Sequence, residues 1–327
     1  MALMLKLLIV KTSSLGDVVH NLPIIHDILS HHPDAKIDWV VEENFADIPR
    51  LHPGVNQVIP VAIRRWRKSI FSKQTWHEIN IAKQRIAQFS YDIILDTQGL
   101  LKSGLITSAA RGQSHGYDKH SAREPLASFF YQHTHPVARN QHAVARNRSL
   151  AALALDYVAP DNLPDYGIHG GTIHTHISHT HISDTPYVMG LHGTSRDSKL
   201  WPTEHWIDLA FALNQRKLKL VLPWASAAEL TRAQTIAAAA PNVIVLPKQS
   251  IAELAAIISQ SKAAVGVDTG LSHLSVALNI PTLAIYTDTD PALTGIYAGS
   301  KAPAINLGNI NQTPTVQQVI QNLEKII

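Results

Sequence analysis

Short runs of Val, Ile and Leu recur along the chain and are separated by stretches in which apolar residues return every three or four positions. The runs predict strands over residues 5–10, 38–41, 58–63 and 91–96 in the first half. In the second half they predict strands over 187–191, 218–223, 243–246, 263–267 and 282–286. The intervening periodicity predicts helices over 18–29, 75–89, 204–215, 225–239 and 251–261, and an amphipathic helix over 315–327 with Val316, Val319, Ile320, Leu323 and Ile327 on one side. Strands apolar on both faces that alternate with helices are those of parallel sheets covered on both sides. The pattern runs twice, which predicts an α/β chain of two doubly wound, Rossmann-like domains. Ligands of such sheets sit beyond the carboxyl ends of the strands, so a cleft between two facing domains is the expected active site.

Between the halves, residues 161–185 are poor in large apolar side chains and include Pro164, Gly170 and Gly171. The expected division is therefore residues 1–164, a linker over 165–186, and residues 187–327. His169, His174, His176, His179 and His181 alternate along this linker. Neutral imidazoles bind zinc or nickel, but no carboxylate or cysteine joins them at ligand spacing, so a polar strand or linker is the preferred reading. The last helix has the option of crossing back onto the first domain.

Composition narrows the function classes. At 327 residues, 45% of them hydrophobic, the chain supplies material for a core in each half. No uncharged apolar run reaches the ~20 residues of a membrane span. The opening MALMLKLLIV is interrupted by Lys6 and continues into KTSSLGD without a small-residue cleavage site, so it predicts a buried first strand and a cytoplasmic protein. The absence of cysteine excludes disulfides and thiolate metal sites. A formal charge of +3 gives no basis for nucleic acid as a partner.

Four polar segments follow predicted strands, where chemistry is expected. Residues 11–17, KTSSLGD, place Ser13, Ser14, Gly16 and Asp17 at a helix start; Asp17 is either a cap or a general base for an acceptor hydroxyl. Residues 267–274, VDTGLSHL, open a helix whose backbone N–H groups would favour a diphosphate, with Asp268 turned to sugar hydroxyls and His273 in the first turn. Residues 192–202 gather hydroxyls and two cations in one loop, suited to a leaving diphosphate. Residues 64–68, RRWRK, carry four cations that suit an acidic acceptor or an anionic membrane surface, with Arg123 a second candidate.

Seven segments in order, KTSSLGDVVHNLP, DWVVEENFADIP, IPVAIRRWRKS, LDTQGLLKS, AREPLASFFY, SKLWPTEHW and VDTGLSHLSVAL, extend over nearly the whole chain. Through them the chain resembles the lipopolysaccharide heptosyltransferases of glycosyltransferase family 9, the type I branch in particular. The resemblance implies a GT-B fold and inverting transfer of L-glycero-D-manno-heptose from ADP-heptose to Kdo of Kdo2-lipid A, with neither metal nor cofactor. It implies work on the cytoplasmic face of the inner membrane, with peripheral attachment. Position by position it implies that Asp17 is the base and Lys199 the cation beside the diphosphate. Thr194, Ser195, Glu229, Asp268, Thr269, Gly270, Leu271 and His273 would hold the donor, Glu229 at the ribose. Ser14, Gly16, Arg64, Arg65, Arg67, Lys68 and Arg123 would face the acceptor. Rival readings are another heptosyltransferase, a nucleotide-sugar epimerase of the same fold, and a non-catalytic two-domain binding protein.

Overall fold

The computed structural model describes residues 4–169 and 185–327. His174, His176, His179 and His181 of the expected linker lie outside the described residues. The chain divides into two compact units, one ending at Asn162 and the other beginning at Leu163.

The first unit holds strands β1 (Lys6–Val10), β2 (Lys36–Glu42), β3 (Val55–Val61), β4 (Ser90–Asp96), β5 (Arg111–Tyr117) and β6 (His133–His135), in the order β3-β2-β1-β4-β5-β6. The second holds β7 (Tyr187–Leu191), β8 (Lys219–Leu222), β9 (Val243–Val245), β10 (Ala263–Val267), β11 (Thr282–Tyr286) and β12 (Ala304–Gly308), in the order β12-β11-β10-β7-β8-β9. Every pairing within the two sheets is parallel. In both, the first strand lies at the centre and the winding reverses beside it, which is the Rossmann order. The reversal falls between β1 and β4 in one unit and between β7 and β10 in the other.

The apolar runs explain the central strands. Leu7, Leu8, Ile9 and Val10 are fully buried, as a strand covered on both faces requires. On one face Leu8, Val10, Val40 and Ile94 pack with Ile59, Ala82 and Ile86. In the second unit Val188, Leu220, Leu222, Val265, Val267, Leu283 and Ile285 share a core with Trp206, Leu209 and Leu213. The final helix, Val316–Leu323, buries Val316, Val319 and Leu323 in that same core. Its apolar stripe therefore belongs to the core of the second unit.

Several expected boundaries differ, each for a local reason. The single helix expected over 18–29 is two, Leu15–Val19 and Pro23–His31, because Pro23 has no N–H to continue a helix and sits instead in the first turn of the next. Ile63 ends no strand; it opens the helix Ile63–Trp66. The outer strands β5, β6 and β12 lack a continuous apolar run, having one neighbour or polar faces, and periodicity passed over them. The start of the expected linker is tied to the second unit: the Tyr166 hydroxyl donates to the Tyr297 carbonyl at 2.8 Å, and Lys301 pairs with Asp165 at 3.3 Å.

One buried ion pair locks the back of the first unit. Arg148, on the helix Ala143–Leu155, donates Nε and Nη2 to the two carboxylate oxygens of Asp27 at 2.7 and 2.9 Å, and its remaining donors meet Asn162. Both partners are nearly inaccessible. Removing one leaves the other buried and uncompensated, so Asp27→Ala is expected to destabilise the first unit by about 3–5 kcal/mol in urea unfolding. Asp27→Leu combined with Arg148→Met is expected to recover most of that loss.

Candidate active site at the two switch points

In the first unit the loop after β1 is shaped by a side chain from the loop after β4. The Gln98 carboxamide oxygen accepts from the backbone N–H of Thr12 at 2.9 Å and of Ser13 at 3.1 Å, and its nitrogen donates to the Ser13 carbonyl at 2.6 Å. Gln98 is held in turn by Asp96, whose Oδ1 accepts from the N–H of Gln98 at 2.8 Å and of Gly99 at 3.2 Å. The Tyr131 hydroxyl donates to Asp96 Oδ2 at 2.8 Å. Burial holds the Asp96 carboxyl above the usual range, against those hydrogen bonds. Gly99 has φ +64, and a Cβ there would press on Tyr117 and the Arg123 backbone, so the turn demands glycine.

On this frame stand the polar groups. Asp17, partly buried in the helix Leu15–Val19, accepts from Ser14 N–H at 2.8 Å and Ser14 Oγ at 2.9 Å, both at Oδ2. The capping reading is thus realised through Oδ2 alone. Lys102 Nζ donates to Ser13 Oγ at 2.7 Å. Lys11 is buried and donates to the Thr97 carbonyl at 2.9 Å. Burial pulls both lysines below their ordinary range; Asp17 and Asp96 oppose this at Lys11, while Glu42 opposes it and Arg64 and Arg67 reinforce it at Lys102. Asp17 therefore lies within electrostatic reach of two lysines, Lys11 and Lys102.

The basic cluster divides. Arg65 spans Glu43 through two parallel hydrogen bonds at 3.1 Å and reaches Glu78 at 2.7 Å. Arg65, expected to face the acceptor, thus pairs with two carboxylates of the same unit while its side chain stays half-exposed. Arg64 lies 4.9 Å over the Phe45 ring. Arg64, Arg67, Lys68 and Arg123 are exposed and take part in no ion pair among the described residues.

In the second unit the loop after β7 meets the loop after β10. Lys199 Nζ donates to Asp268 Oδ2 at 2.6 Å, and Thr194 Oγ1 donates to the Asp268 carbonyl at 3.0 Å. Thr269 precedes the helix Gly270–Ala277 in extended conformation and makes no side-chain cap, so it leaves the first-turn N–H groups to other partners. Ser195 is exposed in the same loop as Thr194, whereas His273 is buried on the packed side of its helix. Glu229 caps its own helix, accepting from the N–H of Ala225 at 2.6 Å. It also lies against Gly193: a Cβ there would come 2.7 Å from the Glu229 carboxyl carbon.

Gln98, Lys102 and His192 carry structural weight that motif reading did not assign. Gln98 and Lys102 lie in the segment LDTQGLLKS, which entered the sequence reading only through the resemblance. Among the described residues no three His, Asp or Glu side chains are grouped to hold a metal.

Residues 80–326 match the model of "Glycosyltransferase family 9 (heptosyltransferase)". The chain belongs to glycosyltransferase family 9. It is a heptosyltransferase of α/β GT-B fold. It is 45% identical over 306 residues to lipopolysaccharide heptosyltransferase 1 of Pseudomonas aeruginosa, covering 93% of this chain and 84% of that one. It is 43% identical over 321 residues to the protein of that name from Escherichia coli K12, covering 96% and 99%. The solved structure of E. coli heptosyltransferase WaaC with ADP superposes with a TM-score of 0.90 at 42% identity, covering 98% of this chain and 99% of that one.

His192 gives a pH test of the second switch point. It is fully buried, Nε2 lies 3.0 Å from the Pro223 carbonyl, and burial pushes its pKa down to about 4. A histidine depressed in the folded state leaves the unfolded chain binding more protons between about pH 6.5 and 4, so stability falls as pH falls through that window. The heptosyltransferase is expected to lose about 3 kcal/mol of second-unit stability there relative to His192→Asn, read as the difference in acid slope of urea unfolding.

Proposed function

We propose that this heptosyltransferase moves L-glycero-D-manno-heptose from ADP-heptose onto Kdo of Kdo2-lipid A, with inversion, at the cytoplasmic face of the inner membrane. The names of its relatives support the lipopolysaccharide core as the destination. The solved structure of E. coli heptosyltransferase WaaC with ADP-2-deoxy-2-fluoro heptose, 41% identical with a TM-score of 0.88, supports the donor. The observation that carries the reading is Asp17, a carboxylate oriented by Ser14 at the switch point of the first sheet and within electrostatic reach of Lys11 and Lys102.

In this reading Asp17 takes the proton of the Kdo hydroxyl as that oxygen bonds to the anomeric carbon. The bond from that carbon to the diphosphate oxygen breaks, and ADP departs with the electron pair. Ser14 fixes the carboxylate, and Gly16 keeps the loop free of a side chain. Arg64, Arg67, Lys68 and Arg123 meet the acidic acceptor, while Arg65 acts through the Glu43 and Glu78 pairs that fix its helix. Lys199, Thr194, Ser195 and the backbone at Thr269, Gly270 and Leu271 receive the diphosphate. Lys199 already pairs with Asp268; donor binding would share that cation and leave Asp268 for heptose hydroxyls. His273, being buried, supports the sugar site from beneath its helix. Glu229 holds the ribose.

Two variants test the assignment. Gly193→Ala displaces Glu229 and is expected to raise the donor KM about tenfold while kcat changes less than about threefold. Asp17→Asn is expected to lower kcat ~10²–10⁴-fold for transfer from ADP-heptose to Kdo2-lipid A, followed by mass spectrometry. Turnover within about tenfold of wild type would remove Asp17 as the base.

A further inference from the structure

We infer that the first unit grips an anionic bilayer through two apolar tips, Phe71 and Phe129, that straddle the Asp17 loop. This rests on the reading that the acceptor is a membrane lipid. Phe71 is fully exposed and Phe129 is 84% exposed, with Ile70 and Trp76 beside the first and Leu126 beside the second. Folding leaves these side chains in water although each would stabilise a core.

Neither tip is a loose loop. The turn between the helices Ile63–Trp66 and Lys73–Ile86 is pinned by Trp76 Nε1 donating to the Ile70 carbonyl at 2.8 Å, by Ser72 N–H to the Ser69 carbonyl at 3.0 Å, and by a Ser69–Thr75 hydroxyl bond at 3.0 Å. The turn Pro125–Phe130 is pinned by Ser128 Oγ donating to the Pro125 carbonyl at 2.8 Å and by Glu124, which accepts from Leu101 N–H at 2.6 Å. Phe130 packs against Gly104, where a Cβ would come within 2.5 Å of its ring. Phe71 and Phe129 are thus held outward at little further entropy cost on binding.

Topology sets the tips on opposite sides of the β1/β4 reversal. The first follows β3, and the second lies in the connection from β5 to β6, beside the helix Leu101–Thr107. Strands β3 and β5 are themselves four strand spacings apart, roughly 19 Å. Charge chooses the partner. Residues 64–73 carry Arg64, Arg65, Arg67, Lys68 and Lys73 and no acid. The nearby carboxylates are occupied: Glu43 and Glu78 by Arg65, and Glu124 by a backbone N–H. Aromatic tips set among unpaired cations fit an anionic lipid surface, with the rings at the headgroup boundary and the cations on phosphate.

The test is co-sedimentation of the full chain with vesicles of phosphatidylethanolamine and phosphatidylglycerol, without donor or acceptor. Wild type is expected to bind these vesicles, to release as salt is raised, and to bind phosphatidylcholine vesicles weakly. Phe71→Ser and Phe129→Ser are each expected to weaken binding roughly tenfold, and together roughly a hundredfold. The double variant should keep the wild-type unfolding midpoint and wild-type turnover on a water-soluble, deacylated Kdo acceptor. Vesicle binding by the double variant equal to wild type overturns the inference. So does wild type that ignores these vesicles, or that is a dimer made monomeric by the double substitution, since the tips would then serve a second copy. Failure of the transfer reading is separate: no turnover on the soluble acceptor while vesicle binding and its loss persist.

Discussion

Everything chemical in this chain depends on where a parallel sheet changes its direction of winding. At the reversal the loops leaving two adjacent strands diverge to opposite faces, and no crossover fills the space between them. The same reversal occurs twice, beside β1 and beside β7, and each time the two flanking loops carry polar residues. A crevice of this kind exposes backbone groups that secondary structure has not used. The sequence must either satisfy them or leave them for a ligand.

The two units solve that problem differently. In the first, protein groups fill the crevice: Gln98 satisfies three backbone groups of the neighbouring loop, Asp96 fixes Gln98, and Tyr131 fixes Asp96. What remains free there is mostly side-chain charge, one carboxylate among several cations. In the second, the loops are joined by the Lys199–Asp268 pair and by Thr194, and the helix start at Gly270 is left uncapped by any side chain. A pre-organised carboxylate suits removal of a proton, and a cation beside open N–H groups suits a departing phosphate. The division proposed between acceptor and donor chemistry follows from that difference.

The sequence disclosed the central strands, because burial on both faces writes a continuous apolar run, and it disclosed the motifs, because they interrupt those runs with polar residues. It did not disclose β5, β6 or β12, whose polar faces break the run. Nor did it separate Arg65 from its neighbours. Four cations in five residues look alike in a string, yet Glu43 and Glu78 come from distant positions to capture one of them. His273 stands in the first turn, as its position in the motif indicates, but its burial was not legible, since position along a helix does not fix which face a side chain occupies. Gln98 was visible only as part of a resemblance; an amide that reads another loop's backbone has no local spacing to betray it.

Arg65 shows why a cluster's charge overstates what it offers to a ligand. Its three carboxylate contacts anchor the short helix Ile63–Trp66, and the Trp66 indole donates to the same Glu78 at 2.8 Å. That anchoring goes with Arg64 lying over Phe45, and it leaves Arg67 and Lys68 exposed. The exposed carboxylates lose affinity for outside cations, and the helix gains a fixed orientation, although pairs this exposed add little to stability individually. A cation spent inside the protein thus sets the direction of those that remain. An anionic partner would meet a surface whose charges are already aimed, so less ordering is left to oppose binding.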